Sequence, residues 1–366
     1  MRVVHVCRVG WPSVGGMQTA VAGLTEALAA RGHAVSVVTL DRGPKGERLA
    51  PGTRHDVPYA RVARVGPRRY PFAPGLLRHL RGADLVHAHG LDGLTDTVVA
   101  TRRWHRAAVG VSTHGGYFHT PRARRLKEVW LRTWTAHTLH RAGAVWFTSE
   151  ADRERLAAAR VQGEVVPNGV DVARFAALPR EPEAGRWIVP GRVDVHKGLD
   201  DLVDALGVLR WRDRRPFRVD VVGTFARPDL EGWLRGRIAG HGLEDRVVVH
   251  GPVDAATWEH LLSRAELALF PSRYEGFGLA LVEAMAAGLP VVARAIPAFE
   301  RLVRPGVDGW LIAFDDPGRA ADEIEAVRDA DLRAIGTTAR VAARAHGWDH
   351  RVLAWEDAYV RLLERR

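Results

Sequence analysis

The stretch "ELALFPSRYEGFGLALVEAMAAGLPVVA", residues 266–293, reads as strand, turn, helix and strand in immediate succession. The run 266–272 is short and apolar and stops at proline and serine. Gly276 and Gly278 mark a turn, an alanine-rich helical run covers 278–288, and "LPVVAR" at 289–294 is a second β-branched run. Two strands joined through a helix imply a right-handed crossover and a parallel sheet. The unit also carries two carboxylates eight positions apart, Glu275 in the glycine turn and Glu283 inside the apolar helix. Around Glu283, Leu279, Leu281, Val282, Ala284 and Met285 are largely buried types, so this carboxylate needs a polar partner or bears a large desolvation cost.

The same alternation extends in both directions. "RWIVPGR", "RVDVVGT", "RVVVHGPV" and "GWLIAF" complete one set of strands, with a further helix over 199–210. "RVVHVC", "AVSVVTL", "DLVHAHG", "AAVGVSTHG", "AVWFTSE" and "GEVVPNG" form an earlier set, with Met17, Val21, Leu24 and Leu28 at helical spacing. Two such sets in 366 residues predict an α/β protein of two Rossmann-like, mainly parallel-sheet domains. The proline, charge and glycine of "LPREPEAGRW", 178–187, place the joint there, with an N-terminal domain over 1–178 and a C-terminal one over 186–345. The closing stretch 348–366 is an amphipathic helix with Val352, Trp355, Ala358, Tyr359 and Leu362 on one face.

Composition narrows the function. No run approaches the roughly eighteen apolar residues of a membrane span. The N-terminus reads as a strand, not a signal peptide, and the single Cys7 rules out an internal disulfide and suits a reducing cytoplasm, packing as a small apolar residue. A net charge of +10 raises the question of nucleic acid. Yet the basic residues are nearly all arginine, with lysine only at 45, 127 and 197, and no tract interleaves dense basic charge with aromatics, so no nucleic-acid partner is expected. One segment is locally basic: "HTPRARRLKEVWLRTW", 119–134, sets Arg122, Arg124, Arg125, Lys127 and Arg132 beside Trp130 and Trp134. It reads either as a solvated helix face or as a contact for anionic lipid or an acidic acceptor.

In open parallel sheets ligands bind beyond the carboxyl ends of the strands, and the informative residues fall there. Gly15 and Gly16 follow the first strand and open a helix, where backbone can approach a ligand or simply turn. The pattern is not G-x-G-x-x-G, which argues against a dinucleotide. His114, in "STHGGYFHT" with His119, precedes Gly115-Gly116 at a strand end. A hydrogen-bonding role suits it; zinc, with His87 and His89, lacks a cysteine partner or an H-E-x-x-H helix. "VPGRVDVHKG" puts Arg192 and Lys197 after a strand, bracketed by Gly191 and Gly198. A planar fork and a compact point charge together can grip a diphosphate, or both can be solvated loop charges. Beyond Glu275, which can accept from hydroxyls, the helix start at Gly276, Phe277, Gly278 and Leu279 offers N–H groups to ligand oxygens. Glu283 can be satisfied by the two hydroxyls of a ribose, or by a nearby arginine.

The glycine-rich first loop, the strand-end His-Gly, G-R-x4-K-G and E-x7-E, in this order, resemble the GT-B retaining glycosyltransferases of family 4 across essentially the whole chain. "STHGGYFHT" with "LKEVWLRTWT" further resembles bacterial exopolysaccharide α-mannosyltransferases that act on lipid-diphosphate-linked sugars. The resemblance implies two Rossmann-like domains facing across a cleft, with the final helix crossing back to the N-terminal domain. It implies that Gly15 and Gly16 lie near donor phosphates and acceptor, that His114 contacts the donor sugar, and that Arg192 and Lys197 neutralise the diphosphate leaving group. Glu275 and the backbone of Gly276, Phe277, Gly278 and Leu279 would hold sugar hydroxyls and a phosphate, Glu283 the ribose, and Asn168 with Gly169 would sit at the cleft. The expected activity is retaining hexosyl transfer from a nucleotide sugar, GDP-mannose ahead of a UDP-sugar, to a lipid-linked oligosaccharide at the inner face of the cell membrane. A soluble aminocyclitol or secondary-metabolite acceptor is the alternative, and a nucleotide-sugar 2-epimerase shares the architecture. No D-x-D lies near the proposed site, since "RDADL", with Asp329 and Asp331, falls in the late helical region and reads as a helix cap, and no metal or other cofactor is expected.

Overall fold

Strands alternate with helices from the first residues onward. The computed structural model describes residues 1–13, 15–43, 46–67, 70–115, 124–213 and 215–365. They divide into two units, Met1–Val170 with Trp348–Arg366, and Asp171–Gly347.

The first unit contains β1 (Arg2–Cys7), β2 (Ala34–Leu40), β3 (Gly52–Arg54), β4 (Val57–Val62), β5 (Leu85–His89), β6 (Ala108–Ser112), β7 (Ala144–Phe147) and β8 (Glu164–Val165). Their order in the sheet is β3-β4-β2-β1-β5-β6-β7-β8, parallel except for β3 against β4. β1, β5 and β6 are buried along nearly their whole length, which explains why they read as unbroken apolar runs. The second unit contains β9 (Arg186–Pro190), β10 (Arg218–Val222), β11 (Val247–Gly251), β12 (Leu267–Phe270), β13 (Val291–Arg294) and β14 (Gly309–Ile312), in the order β11-β10-β9-β12-β13-β14. Every pair in it is parallel. Counted from β9, that is third, second, first, fourth, fifth, sixth, the Rossmann order, whose direction reverses between β9 and β12. In the first unit the reversal falls between β1 and β5.

The chain passes between units at Val170, earlier than the proline-rich stretch at 178–187. The reason is the short helix Val172–Ala176, which buries Val172 and Phe175 and packs on the helix Leu279–Ala286 of the second unit. β3 and β4, also unanticipated, form a hairpin closed by His55 and Asp56 with φ of 44° and 64°. Two consecutive positive φ values are the hallmark of a type I′ turn, but these residues do not signal one as Asn-Gly would.

The last helix, Trp348–Glu364, belongs to the first unit, where it buries Val352, Trp355, Ala358, Tyr359 and Leu362, the face expected from its spacing. Trp348 occupies the space a Cβ would take at Gly23 and at Gly169, 2.0 and 2.5 Å away. No helix among the described residues is long and apolar enough to cross a membrane.

Candidate active site

The switch point of the second unit gathers the charged residues singled out in the sequence. After β9 the chain runs through Gly191 and Arg192 to a turn, Val195–Lys197, capped by Asp194 Oδ1 accepting from Val195 N at 2.8 Å. Gly198 follows with φ +65° and opens the helix Leu199–Arg212; a Cβ there would meet Pro271 O at 2.3 Å. That close approach presses the loop after β9 against the loop after β12. Arg273 N donates to His196 O at 2.8 Å, and the Arg273 guanidinium reaches Asp200 at 2.9 Å and Asp201 at 2.6 Å. Buried Arg294, at the end of β13, donates to Pro271 O at 2.8 Å and pairs with Asp201 and Asp315. The result is a depression lined by Gly191, Arg192, Lys197, Pro271 and Ser272.

Lys197 Nζ forms an ion pair with Glu275 Oε1 in this depression. Arg192 is half exposed, with Asp194 at 3.6 Å. Arg192, Lys197 and Glu275 are thus brought to one place. The helix Leu279–Ala286 has no side-chain cap at its start. Its Gly278 has φ +96°, and a Cβ there would meet the Phe299 ring at 3.0 Å, so only glycine fits. Leu281 N donates to Gly278 O at 3.0 Å, which leaves the N–H groups of Leu279 and Ala280 at the helix start for ligand oxygens. Phe277 contacts the His346 ring edge-on, centroids 5.9 Å apart.

Glu283 lies in the middle of that helix. The nearest arginine influence is Arg174, but its guanidinium donates to Glu259 at 2.8 and 3.0 Å. No described residue donates to the Glu283 carboxylate or pairs with it. Desolvation pushes its pKa up from 4.5 to about 7, against a lowering by Arg174. The arginine alternative for Glu283 is thereby set aside, and the half-buried carboxylate keeps acceptor sites that no described side chain uses.

The remaining candidates belong to the first unit. Gly15 precedes the helix Gly16–Ala30, which also starts without a side-chain cap. Asn168 is buried, beside Gly169 under Trp348. His114 stands beyond β6 with φ +48°, and its Nε2 lies 2.9 Å from His89 Nδ1. His5, His87 and His89 cluster in the core with their ring nitrogens within 4.8 Å of one another, a grouping other than the His114, His87 and His89 weighed for zinc. Their nitrogens, however, engage one another, Tyr359 and Ser112 in hydrogen bonds. His119 and Arg122 lie outside the described residues. Sequence reasoning missed Arg273, Arg294, Asp200 and Asp201, since nothing local distinguishes these from solvated charges; their function is to hold two distant loops together.

The description "Glycosyl transferases group 1" matches residues 175–339, and "Glycosyltransferase Family 4" matches residues 14–174. The GDP-mannose:cellobiosyl-diphosphopolyprenol alpha-mannosyltransferase of Xanthomonas campestris is 35% identical over 371 residues, covering 98% of this chain and 96% of its own. The protein of the same name from Komagataeibacter xylinus is 33% identical, covering 100% and 94%. Among solved structures, sucrose-phosphate synthase from Thermosynechococcus elongatus superposes with a TM-score of 0.77 at 22% identity over the full length of both chains. Anabaena HepE in complex with UDP and glucose gives 0.77 at 19% identity, covering 99% and 100%. At that identity the structural likeness establishes the GT-B fold alone.

Proposed function

Because this chain belongs to glycosyltransferase family 4, we propose that it moves a mannosyl residue from GDP-mannose, with retention, to a hydroxyl of a polyprenyl-diphosphate-linked oligosaccharide. The observation that carries the reading is the switch point of the second unit. It combines two cations, an uncapped helix start and an unpaired Glu283, the complement of a nucleoside diphosphate. Arg192 and Lys197 bear the charge that develops on the departing diphosphate, and Glu275 with the helix start holds hydroxyl and phosphate oxygens. A glycosidase-type double displacement needs two carboxyl groups about 5 Å apart around the scissile bond. Glu275 is instead paired with Lys197, which suits a hydroxyl clamp. Two cations at the leaving group can do the work of a divalent ion, so the reaction should need no metal and turnover should persist in EDTA.

The lipid-linked acceptor is supported by one face of the first unit. Leu126, Val129, Trp130 and Trp134 are exposed at helical spacing, with Arg125 and Arg132 among them. Tyr70 packs edge-on against Trp130, and Trp134 Nε1 donates to Asp96 at 2.7 Å. Aromatic and aliphatic side chains flanked by arginine suit peripheral contact with the anionic inner face of a membrane. A thermal-shift panel of GDP, UDP, ADP and their sugars tests the donor. GDP and GDP-mannose are expected to raise the melting temperature most; a larger rise with UDP-glucose would overturn the donor assignment.

A further inference from the structure

Behind His114 runs a chain of imidazoles that the proposed reaction does not use. β1 and β5 pair His5 with His87, and β5 and β6 pair His89 with Ser112, so these side chains share one face of the sheet. His5 Nδ1 lies 2.9 Å from His89 Nε2, and His89 Nδ1 lies 2.9 Å from His114 Nε2. His87 stands apart from this line, held by Tyr359 Oη at 2.7 Å and Ser112 Oγ at 2.6 Å. The backbone around His114 is fixed as well. Buried Asp152 Oδ2 accepts from Gly115 N at 2.8 Å, Thr113 Oγ1 at 2.9 Å and Thr148 Oγ1 at 3.1 Å, so both neighbours of His114 are tied to one carboxylate. That clamp holds His114 at a φ of +48°, which non-glycine residues seldom adopt.

The direction of the chain follows from its inner end. Burial holds all three rings neutral, with His5 pushed down to about 3, His114 to about 4 and His89 well below its usual value. Each ring therefore carries one proton, and each link uses one. If the protons pointed inward, His5 Nε2 would be an N–H in the core with no acceptor, because that atom has no hydrogen-bond partner among the described residues. With the protons pointing outward, His5 Nε2 is a bare lone pair. An orphaned buried N–H is the rarer defect in protein interiors. Outward polarity makes His5 Nδ1–H donate to His89 Nε2 and His89 Nδ1–H donate to His114 Nε2, which leaves the His114 proton on Nδ1.

We propose that His5 and His89 are positioning residues that hold His114 as the neutral Nδ1–H tautomer, making it a fixed hydrogen-bond donor to an oxygen of the bound sugar. This rests on the assignment of His114 to the sugar. A ring locked in this way cannot accept the proton of the attacking hydroxyl through Nδ1, so general-base work falls to another group.

Long-range proton–nitrogen NMR of the full chain, with the His114 signal identified by its loss in H114N, reads the tautomer without any turnover. The expected pattern is a protonated Nδ1 and a bare Nε2, and the reverse pattern overturns the proposal. Two substitutions at His5 add a kinetic readout. H5N keeps an amide N–H at the δ position and should retain the tautomer and near-normal kcat. H5L removes the donor and should lower kcat about 10- to 100-fold, the scale seen for groups that orient a histidine from behind, with the Kd for GDP unchanged. Equal kcat in folded H5N and H5L would overturn the relay. If the tautomer is as expected but H114A, which has no donor at that position, transfers sugar at the normal rate, the relay stands and the role of His114 in the reaction falls.

Discussion

Lys197 and Glu275 are each other's ion-pair partner, and Ser272 Oγ donates to the same carboxylate oxygen at 2.9 Å. In the proposed reaction a nucleotide sugar entering this site would offer a diphosphate to the lysine and hydroxyls to the glutamate. The two side chains can then part without leaving either charge unmet, and each is ready when the other is drawn away. Lys197→Ala should lower kcat about 10²–10³-fold, the range for deleting one preorganised group that meets developing charge. The pair is partly solvent-accessible, so its loss should cost about 1 kcal/mol or less. Transfer kinetics and melting temperature measured on the same preparation check both figures, and near-normal turnover would remove Lys197 from the mechanism.

If Glu283 holds the ribose as proposed, nucleotide binding should depend on pH. Its pKa is raised from 4.5 to about 7 by desolvation, so the unliganded site keeps a proton that the unfolded chain loses. The corresponding stability is fully present below pH 4.5 and is lost as pH rises through 7. A ribose diol would donate to the ionised carboxylate, so binding below pH 7 would have to expel the proton. The Kd for GDP should therefore weaken about tenfold per pH unit below 7 and level off above it. Titration calorimetry at pH 6 and 8 measures the difference, which should vanish in Glu283→Gln; an equal slope in that variant would assign the proton to another group.

Gly198 and Gly276 look alike in the sequence and differ in the fold. Gly198 has φ +65° and its missing Cβ would meet Pro271 O at 2.3 Å; nothing lies within 4 Å of the corresponding position at Gly276. Gly198→Ala must push apart the two loops that carry Lys197 and Glu275, with a cost of about 1–3 kcal/mol. Gly276→Ala should leave the melting temperature within a degree or two of wild type. Parallel thermal melts decide this, and an equal drop in both would mean that the close approach at Pro271 does not bear on stability.

How far the sequence revealed this site depends on whether a residue's cause is local. β1 and β2 were legible to the residue because their apolar runs are buried on both faces, and the helix cap read in "RDADL" is there, supplied by Asp331 accepting from Ala334 N at 3.0 Å. Glu283 was legible because a carboxylate among buried types is a local contradiction. The hairpin of β3 and β4 was not, because His55-Asp56 takes on a backbone conformation that its residue types do not announce. Nor was the mutual pairing of Lys197 and Glu275, which depends on two loops meeting across a strand reversal. His114 showed itself as a strand-end residue, yet only the register of β1, β5 and β6 sets His5, His89 and His114 in one hydrogen-bonded line.

Arg294 tests the least legible part of the site. It lies at the end of β13, buried, and its guanidinium holds Pro271 O, Asp201 and Asp315 together. Asp201 is also held by Arg273 at 2.6 Å, so one carboxylate on the helix Leu199–Arg212 secures the loop after β12 through two arginines. Arg294→Met keeps the stem's packing but leaves Pro271 O without its donor and Asp201 with one partner fewer. Removing one member of a buried pair costs about 3–5 kcal/mol, and the exposure of Asp315 brings the expectation here to the lower end. The melting temperature should fall by several degrees. Turnover should fall along with GDP affinity, because the slackened loop carries Glu275 away from Lys197. An unchanged Kd for GDP in a variant with a lowered melting temperature would mean that Arg294 supports the fold without shaping the nucleotide site.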